Sequence, residues 1–364
     1  METVNTTLES HGKALTCPNR LVFHCFLRDS QQSMTALTNP VMSYAELTLP
    51  LPAAKELWYA KTAKEWKAIY LEREAGQTKR APSVGDLLYD VTLLPTNRHR
   101  VDVQFSTAIY LHAFWALILE FRCLSSACRT RTYTTSAIGG YGSLLGARHQ
   151  QLVQDLQAFQ STTATWPEIS AQERLVLNQL MMNLHVSLDD LQLFAGKEGE
   201  DQARRVYPVL QKWTESTDSR AAVSCAGQVL RFAKLFPAGH LKNFYAVGVH
   251  HAALALWTYG VVTRASRRQN PSLPQEKVYL DDPESIVMQR FITLGQGRPI
   301  IRGPGGREGV SEAAIEDPKT SMEAAYEVLR TNFSNGQSTA PAIVENLCVL
   351  IRQLGNAAWA VGLG

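Results

Sequence analysis

The residues of this chain that could do chemistry are few, and each lacks a partner that the chemistry requires. Asp281-Asp282-Pro283-Glu284-Ser285 begins like the Asp-Asp-x-x-Asp/Glu motif that holds magnesium against a diphosphate from one helix face. Its fifth position is a serine, and Pro283 sits where that helix would have to run. The second metal motif of such enzymes is approached only by Asn183 and Ser187, with apolar Leu191 where a glutamate is needed. His250 and His251 are adjacent, so on a helix they point about 100° apart and do not share a metal. Their pattern predicts one buried, hydrogen-bonded imidazole and one facing a polar neighbour. Cys123 and Cys128 would need two further zinc ligands, and the nearest histidine, His112, falls inside an apolar helix.

Two glycine-rich stretches fail in the same way. Gly140-Tyr141-Gly142-Ser143-Leu144-Leu145-Gly146 places its third glycine one residue late for a dinucleotide fingerprint and has no strand before it. The run GQGRPIIRGPGGREG, 295–309, has no lysine with which to cradle a phosphate. There is no Gly-x-Ser-x-Gly elbow and no His-Glu-x-x-His pair. The sequence therefore assigns no catalytic, cofactor-binding or metal-ligating residue.

The elements that would position any site read as helices. Phe23, Phe26, Leu27, Met34 and Leu37 recur at helical spacing opposite Arg28, Asp29, Gln31 and Gln32. Asn39-Pro40 stops that helix, and Ser43 with Glu46 and Thr62 with Glu65 fit capping boxes that restart short helices at Tyr44 and Ala63. Between them lies the extended Leu47-Thr48-Leu49-Pro50-Leu51-Pro52, and Trp58 and Trp66 read as two core aromatics. A helix from Gln104 to Cys123 is apolar nearly all round and belongs at the centre of a bundle. Ser83 caps a short helix to about Asp90, Arg148–Phe159 and Ala171–Val186 are amphipathic helices, and further helices are read over Leu188–Ala195, Asp201–Trp213, Arg220–Phe236, Phe244–Val262, Glu284–Leu294, 318 to about 332 with Asp317-Pro318 as its cap, and 341–355. Mobile loops are expected near 125–146 and 295–310, a linker over Gln269–Asp282, and nothing alternates like an extended sheet.

Composition narrows the class. The 364 residues are 45% hydrophobic, enough for a substantial core, and a formal net charge of +3 is too mild for an electrostatic footprint on nucleic acid. Cys17, Cys25, Cys123, Cys128, Cys225 and Cys348 form no Cys-x-x-Cys pair, which fits reduced thiols inside a cell. Residues 1–19 are polar, carry no secretory signal and are expected to be disordered, so the sequons at Asn5 and Asn332 carry little weight. Of two apolar runs, Ala108–Phe121 is short for a membrane span, whereas Phe244–Val262 is long enough but carries His250 and His251 at its centre, where hydrocarbon penalises them.

The order of certain residues adds to this. The helix carrying Arg20-Leu-Val-Phe and an aspartate, the Asn39-Pro40/Met42-Ser43/Glu46-Leu47 segment, Leu-Pro-Leu-Pro and the Trp58/Trp66 pair together resemble the latter half of the fungal-specific transcription factor domain, also called the middle homology region. Towards the other end, five further segments are similar to regulators that carry two-Cys two-His zinc fingers upstream of that domain. They are His250-His251 through Gly260, Val278-Tyr-Leu-Asp-Asp282, Gln289 through Pro299, Leu329-Arg-Thr-Asn-Phe333, and Val344-Glu-Asn-Leu347 with Leu354-Gly-Asn-Ala-Ala358. The likeness runs from about Arg20 almost to the end, so 20–364 is expected to be one regulatory domain. The family's Trp- and Arg-containing segment before the first helix is missing, as is any zinc finger.

The resemblance implies an all-α, multi-helix, bundle-like regulatory domain of one or two lobes. It implies a nuclear transcription regulator of pathway- or gene-cluster-specific type that works through protein partners or as a homo- or heterodimer. DNA would be reached only indirectly or through the missing finger, which alone would hold zinc; no cofactor and no membrane are expected. The competing readings are an all-α enzyme with an unrecognised active site and a membrane-associated helical protein.

Overall fold

A computed structural model describes the backbone of residues 2–129, 138–267, 276–303, 312–334 and 339–360, and side chains over 19–128, 142–265, 276–303, 312–334 and 339–357. The chain divides into two compact units, Met1–Glu173 and Arg174–Gly364. All-α is the observed class: fifteen helices account for most of the described residues, with one small sheet.

The N-terminal unit contains α1 (Glu2–Ala36), a 3-10 turn (Tyr44–Glu46), α2 (Lys55–Tyr59), α3 (Ala63–Glu74), α4 (Val84–Tyr89), α5 (Leu93–Thr96), α6 (Val103–Arg129), α7 (Ile138–Thr163) and the start of α8 (Ala171–His185). Its centre is α6, whose Ile109, Leu111, Ala113, Phe114 and Ile118 are buried, as the all-round apolar sequence predicts. α1 packs on it through Phe23, Phe26 and Met34. Two polar ties fix that pairing: Trp115 Nε1 donates to Ser33 Oγ at 2.8 Å, and Ser30 Oγ donates to the His112 carbonyl at 3.0 Å. α7 adds Leu152, Leu156 and Phe159, the last stacked on Tyr110 at 4.8 Å.

The Leu-Pro-Leu-Pro segment is extended, and its prolines explain how it pairs. Proline has no N–H to give, so the bonds come from the residues between and after: Leu51 N–H donates to Pro82 O at 2.8 Å and Ala54 N–H to Arg100 O at 3.0 Å. Pro52 O accepts from Asp102 N–H at 2.8 Å. The strap thus ties the entry of α4 to the entry of α6. Ser83 and Asp86 form a reciprocal capping box at α4, and Thr62 Oγ1 accepts from Glu65 N–H at α3.

The C-terminal unit contains α9 (Leu188–Phe194), α10 (Glu200–Thr214), α11 (Thr217–Ala233), α12 (Phe244–Arg267), β1 (Lys277–Tyr279), α13 (Ile286–Leu294), β2 (Arg298–Arg302), β3 (Glu312–Ala314), α14 (Pro318–Thr331) and α15 (Ala342–Ala360). α12 is central and packs on α11, α14 and α15. Close approach at two points demands glycine. A Cβ on Gly227 would lie 2.4 Å from Leu280 Cβ, and one on Gly260 would lie 2.0 Å from Ile315 O. The sheet has the order β1-β2-β3, parallel between β1 and β2 and antiparallel between β2 and β3, with α13 connecting the parallel pair.

Several sequence expectations need correction. Most of the loop expected over 125–146 is helix: α6 runs to Arg129 and α7 begins at Ile138, while 130–137 lies outside the described residues. The loop expected near 295–310 contains β2, with 304–311 outside the described residues, and the linker over 269–282 contains β1. Sheet is present although no segment alternates. The backbone of α1 is helical from Glu2, through the stretch expected to be disordered. Trp66 is core, packed with Leu57 and Ala60, but Trp58 is 43% exposed, because α2 ends at Tyr59 and the two tryptophans do not share a helix. Finally, the apolar run around Ala108–Phe121 belongs to a 27-residue helix, long and apolar enough to cross a bilayer by length and composition; most of it is buried inside its unit.

Candidate functional site

In the N-terminal unit the organising side chain is Arg20, one turn before Phe23 on α1. Its guanidinium donates to Asp102 Oδ2 at 2.9 Å and to Ala53 O at 3.0 Å, and it lies over the rings of Trp58 at 5.2 Å and Phe105 at 5.6 Å. Asp102 also accepts from Phe105 N–H through Oδ1, capping the first turn of α6. One cation therefore joins α1, the strap, α2 and the start of α6. Asp29, on the same helix, accepts from Met42 N–H at 2.7 Å and fixes the chain after the Asn39-Pro40 stop.

Beside this node opens a cleft of about 970 Å³ lined by Lys55, Tyr59, Arg73, Arg98, Asp102 and Glu168, among others. Each carboxylate on its wall is already matched by an arginine. Arg73 meets Glu56 at 3.1 Å, Arg98 meets Glu168 at 2.6 Å while lying over Trp166, and Arg20 holds Asp102. The Arg98 hydrogen bonds pull the Glu168 carboxyl below its ordinary range. These pairs tie walls together, and each of the lining carboxylates among the described residues, Glu56, Asp102 and Glu168, has an arginine partner. Sequence reading did not find the cleft, because its lining comes from short helices and turns with no shared motif.

In the C-terminal unit the conspicuous sequence segments turn out to be joints. Asp281, buried, accepts from Lys234 Nζ at 2.6 Å and from Arg302 N–H, and Asp282 pairs with Arg302. Gln228 Nε2 donates to Leu280 O and Asp282 O. The Asp-Asp pair thus clamps β1 and β2 to α11, which accounts for its carboxylates without a metal. Asn183 donates to Gln179 O, Ser187 caps α9, and Leu191 is buried, so the second half of that motif is structural too. Gly295 ends α13 in the left-handed conformation, and Gly297, at φ +107°, lies where a Cβ would be 2.4 Å from Val278 Cγ2. The Asn332 side chain accepts from Leu241 N–H at 2.9 Å and donates to Phe236 O and Pro237 O, so the amide of that sequon is occupied. Trp257 Nε1 donates to Leu354 O at 2.9 Å.

His250 and His251 sit midway along α12 with ring centroids 6.1 Å apart. His251 is buried, and its Nδ1 has no hydrogen-bond partner among the described residues. Burial lowers the pKa of His250 to about 4 and, with the neighbouring imidazole adding to it, that of His251 to about 3, so both are neutral at physiological pH. His112 is also buried and lowered to about 4, with Nδ1 at 2.7 Å from Ala108 O, whereas Cys123 and Cys128 are exposed. The structure does not bring these three together as a described ligand set.

Comparison with known proteins bears on this arrangement. No family model matches the chain, and no solved structure matches it. The chain is similar to a protein of Zymoseptoria tritici named as a transcription factor, 22% identical over 356 residues, which cover 87% of this chain and 36% of that protein. It is also similar to transcription factor 1 of Elsinoe fawcettii, 22% identical over 77% of this chain and 31% of the relative. The nicotinate catabolism cluster-specific transcription factor of Emericella nidulans is 23% identical over 49% of this chain and 21% of its own length. The chain thus resembles a region of fungal transcription factors and spans about a third of the length of those it matches most broadly.

Proposed function

We propose that this chain is the regulatory region of a fungal transcription regulator, acting in the nucleus through protein contacts, self-association included, and not as an enzyme. The supporting observation is that the residues carrying the resemblance brace each unit from within: Arg20, Asp29, Asp281, Gly297 and Asn332 each join elements of their own unit rather than converge on a reactive centre. Similarity over 87% of the chain to a protein named as a transcription factor gives that scaffold its context. Sequence-specific reading of DNA then belongs to a zinc-finger segment of a longer polypeptide or to a partner, because a base-reading helix needs polar side chains on an exposed face held against the major groove. The scattered lysines and arginines here, many already paired, supply only non-specific attraction, weaker than roughly 10⁻⁶ M at physiological salt.

Footprinting of the purified chain on random-sequence and genomic fragments tests the DNA clause. The expected result is no protected site and weak retardation that disappears with added salt. Protection of one short site in the presence of competitor DNA would show that the chain reads sequence itself.

A further inference from the structure

The outer face of α15 exposes several large apolar side chains. Val344, Leu347, Cys348, Ile351 and Gly355 face inward, and Ala342, Ile343, Asn346, Val349, Leu350, Gln353 and Ala357 are exposed. Ile343 is 39%, Val349 53% and Leu350 45% exposed. These seven positions form one stripe over four turns and carry no charge. The charges of this helix, Glu345 and Arg352, lie along one edge of the stripe, one turn before and after Val349.

We infer that this stripe binds the same stripe of a second copy, with the two α15 helices antiparallel across a two-fold axis between Val349 and Leu350. The choice of a second copy rests on the order of residues about that midpoint. Reversal of the helix places Val349 level with Leu350 of the other copy and against its Val349 at the axis, Asn346 opposite Gln353, and Ala342 opposite Ala357, so like meets like at these positions, while Ile343 falls level with Asn356 at the edge. The two small residues at the ends allow close approach of the backbones. The charged flank is complementary in the same register. Glu345 pairs with Arg330 at 2.7 Å and Arg352 with Glu323 at 2.8 Å, both on the side towards α14. Reversal brings the second copy's Arg352 within about two residues of the level of Glu345, alternating the signs along the seam.

The contact is small. Residues 342–357 span about 22 Å of helix about 10 Å across, roughly 220 Å² in projection, against about 800 Å² buried per partner in standard stable interfaces. The association is therefore reversible and concentration-dependent, in the micromolar range or weaker. This inference deepens the self-association clause of the proposed function by naming its surface. Its failure would leave the regulatory reading standing, which a reporter driven by the chain fused to an unrelated DNA-binding domain tests separately.

Sedimentation velocity of the full chain over about 1–200 μM, with chemical cross-linking, tests it. The expected mass rises from 40.4 kDa towards twice that value with concentration. Val349→Glu sets two carboxylates against each other at the axis and should leave monomer throughout. Leu350→Gln, a milder change at an exposed position, should weaken association at least fivefold with unchanged helix content. In a background with Cys25, Cys123 and Cys128 replaced by serine, Val349→Cys should form a cross-linked dimer and Ala342→Cys should not. Monomer at every concentration, association that survives both Val349→Glu and Leu350→Gln, or equal cross-linking through Ala342→Cys would each overturn the inference.

Discussion

Arg20→Met should destabilise the N-terminal unit by about 2–4 kcal/mol. The side chains of Arg20 and Asp102 are 14% and 9% exposed, so the pair is nearly but not wholly removed from water. Breaking a fully buried pair by removing one partner costs about 3–5 kcal/mol, because the remaining charge is left without compensation; the residual exposure lowers that range. Methionine keeps the stem packed near Trp58 and Phe105, so the loss is of the charge and its two hydrogen bonds rather than of volume. Asp102→Asn is milder, about 1–2 kcal/mol, since Oδ1 can still cap Phe105 N–H and Arg20 keeps Ala53 O and the ring faces. If the two act as one joint, the double variant costs less than the sum, with a coupling of about 1–3 kcal/mol. Urea unfolding followed by tryptophan fluorescence measures this, because Trp58 lies against the guanidinium. A coupling under about 0.5 kcal/mol, or an Arg20→Met cost below about 1 kcal/mol, would show that Arg20 is a surface residue and not the joint described.

Other predictions follow from the same packing. Gly260→Ala sets a Cβ 2.0 Å from Ile315 O, a backbone atom that cannot rotate away, so despite alanine's better helix propensity the variant should lose roughly 3 kcal/mol in urea unfolding; stability equal to wild type would mean that α12 and the segment after β3 are not in contact there. His112, His250 and His251 are held at about 4, 4 and 3 when folded, against about 6.5 unfolded. Below pH 6.5 the unfolded chain takes up protons that the folded chain refuses until near pH 4, so stability is full above pH 6.5 and falls as pH drops, by up to about 1.4 kcal/mol per pH unit for each histidine. Urea midpoints at pH 7.5 and 5.0 should show this, and His251→Leu should flatten the slope; an unchanged slope would mean that His251 is solvated.

Much of the helical frame was legible because it is written locally. Ser83, Thr62 and Asp317 each cap the helix that their spacing predicts, and α6 and α12 are buried as their long apolar runs require, whereas the cap at Ser285 lies one residue inside the helix expected from Glu284. What was missed depends on distant partners. β1 and β3 are three residues each and β2 five, too short to show alternation, and β1 finds its parallel neighbour across α13. Gly142 and Gly146 lie in α7 with nothing near their missing Cβ, so the composition that reads as a loop is tolerated on an open helix surface. The misfit of Asp281-Asp282 to a metal motif was visible in sequence, but its use as a clamp was not, because Lys234 and the Arg302 N–H arrive from elsewhere in the chain.

The central claim is that this scaffold regulates transcription through protein contacts once something else brings it to DNA. Fusing the chain to an unrelated DNA-binding domain and measuring a reporter bearing that domain's site in a fungal nucleus tests this most directly. The account predicts a change in reporter output that requires the site, is absent when the chain is expressed untethered, and is lost with Arg20→Met at a temperature where the N-terminal unit unfolds. Reporter output equal to that of the DNA-binding domain alone, with the fused chain folded and present in the nucleus, would contradict it.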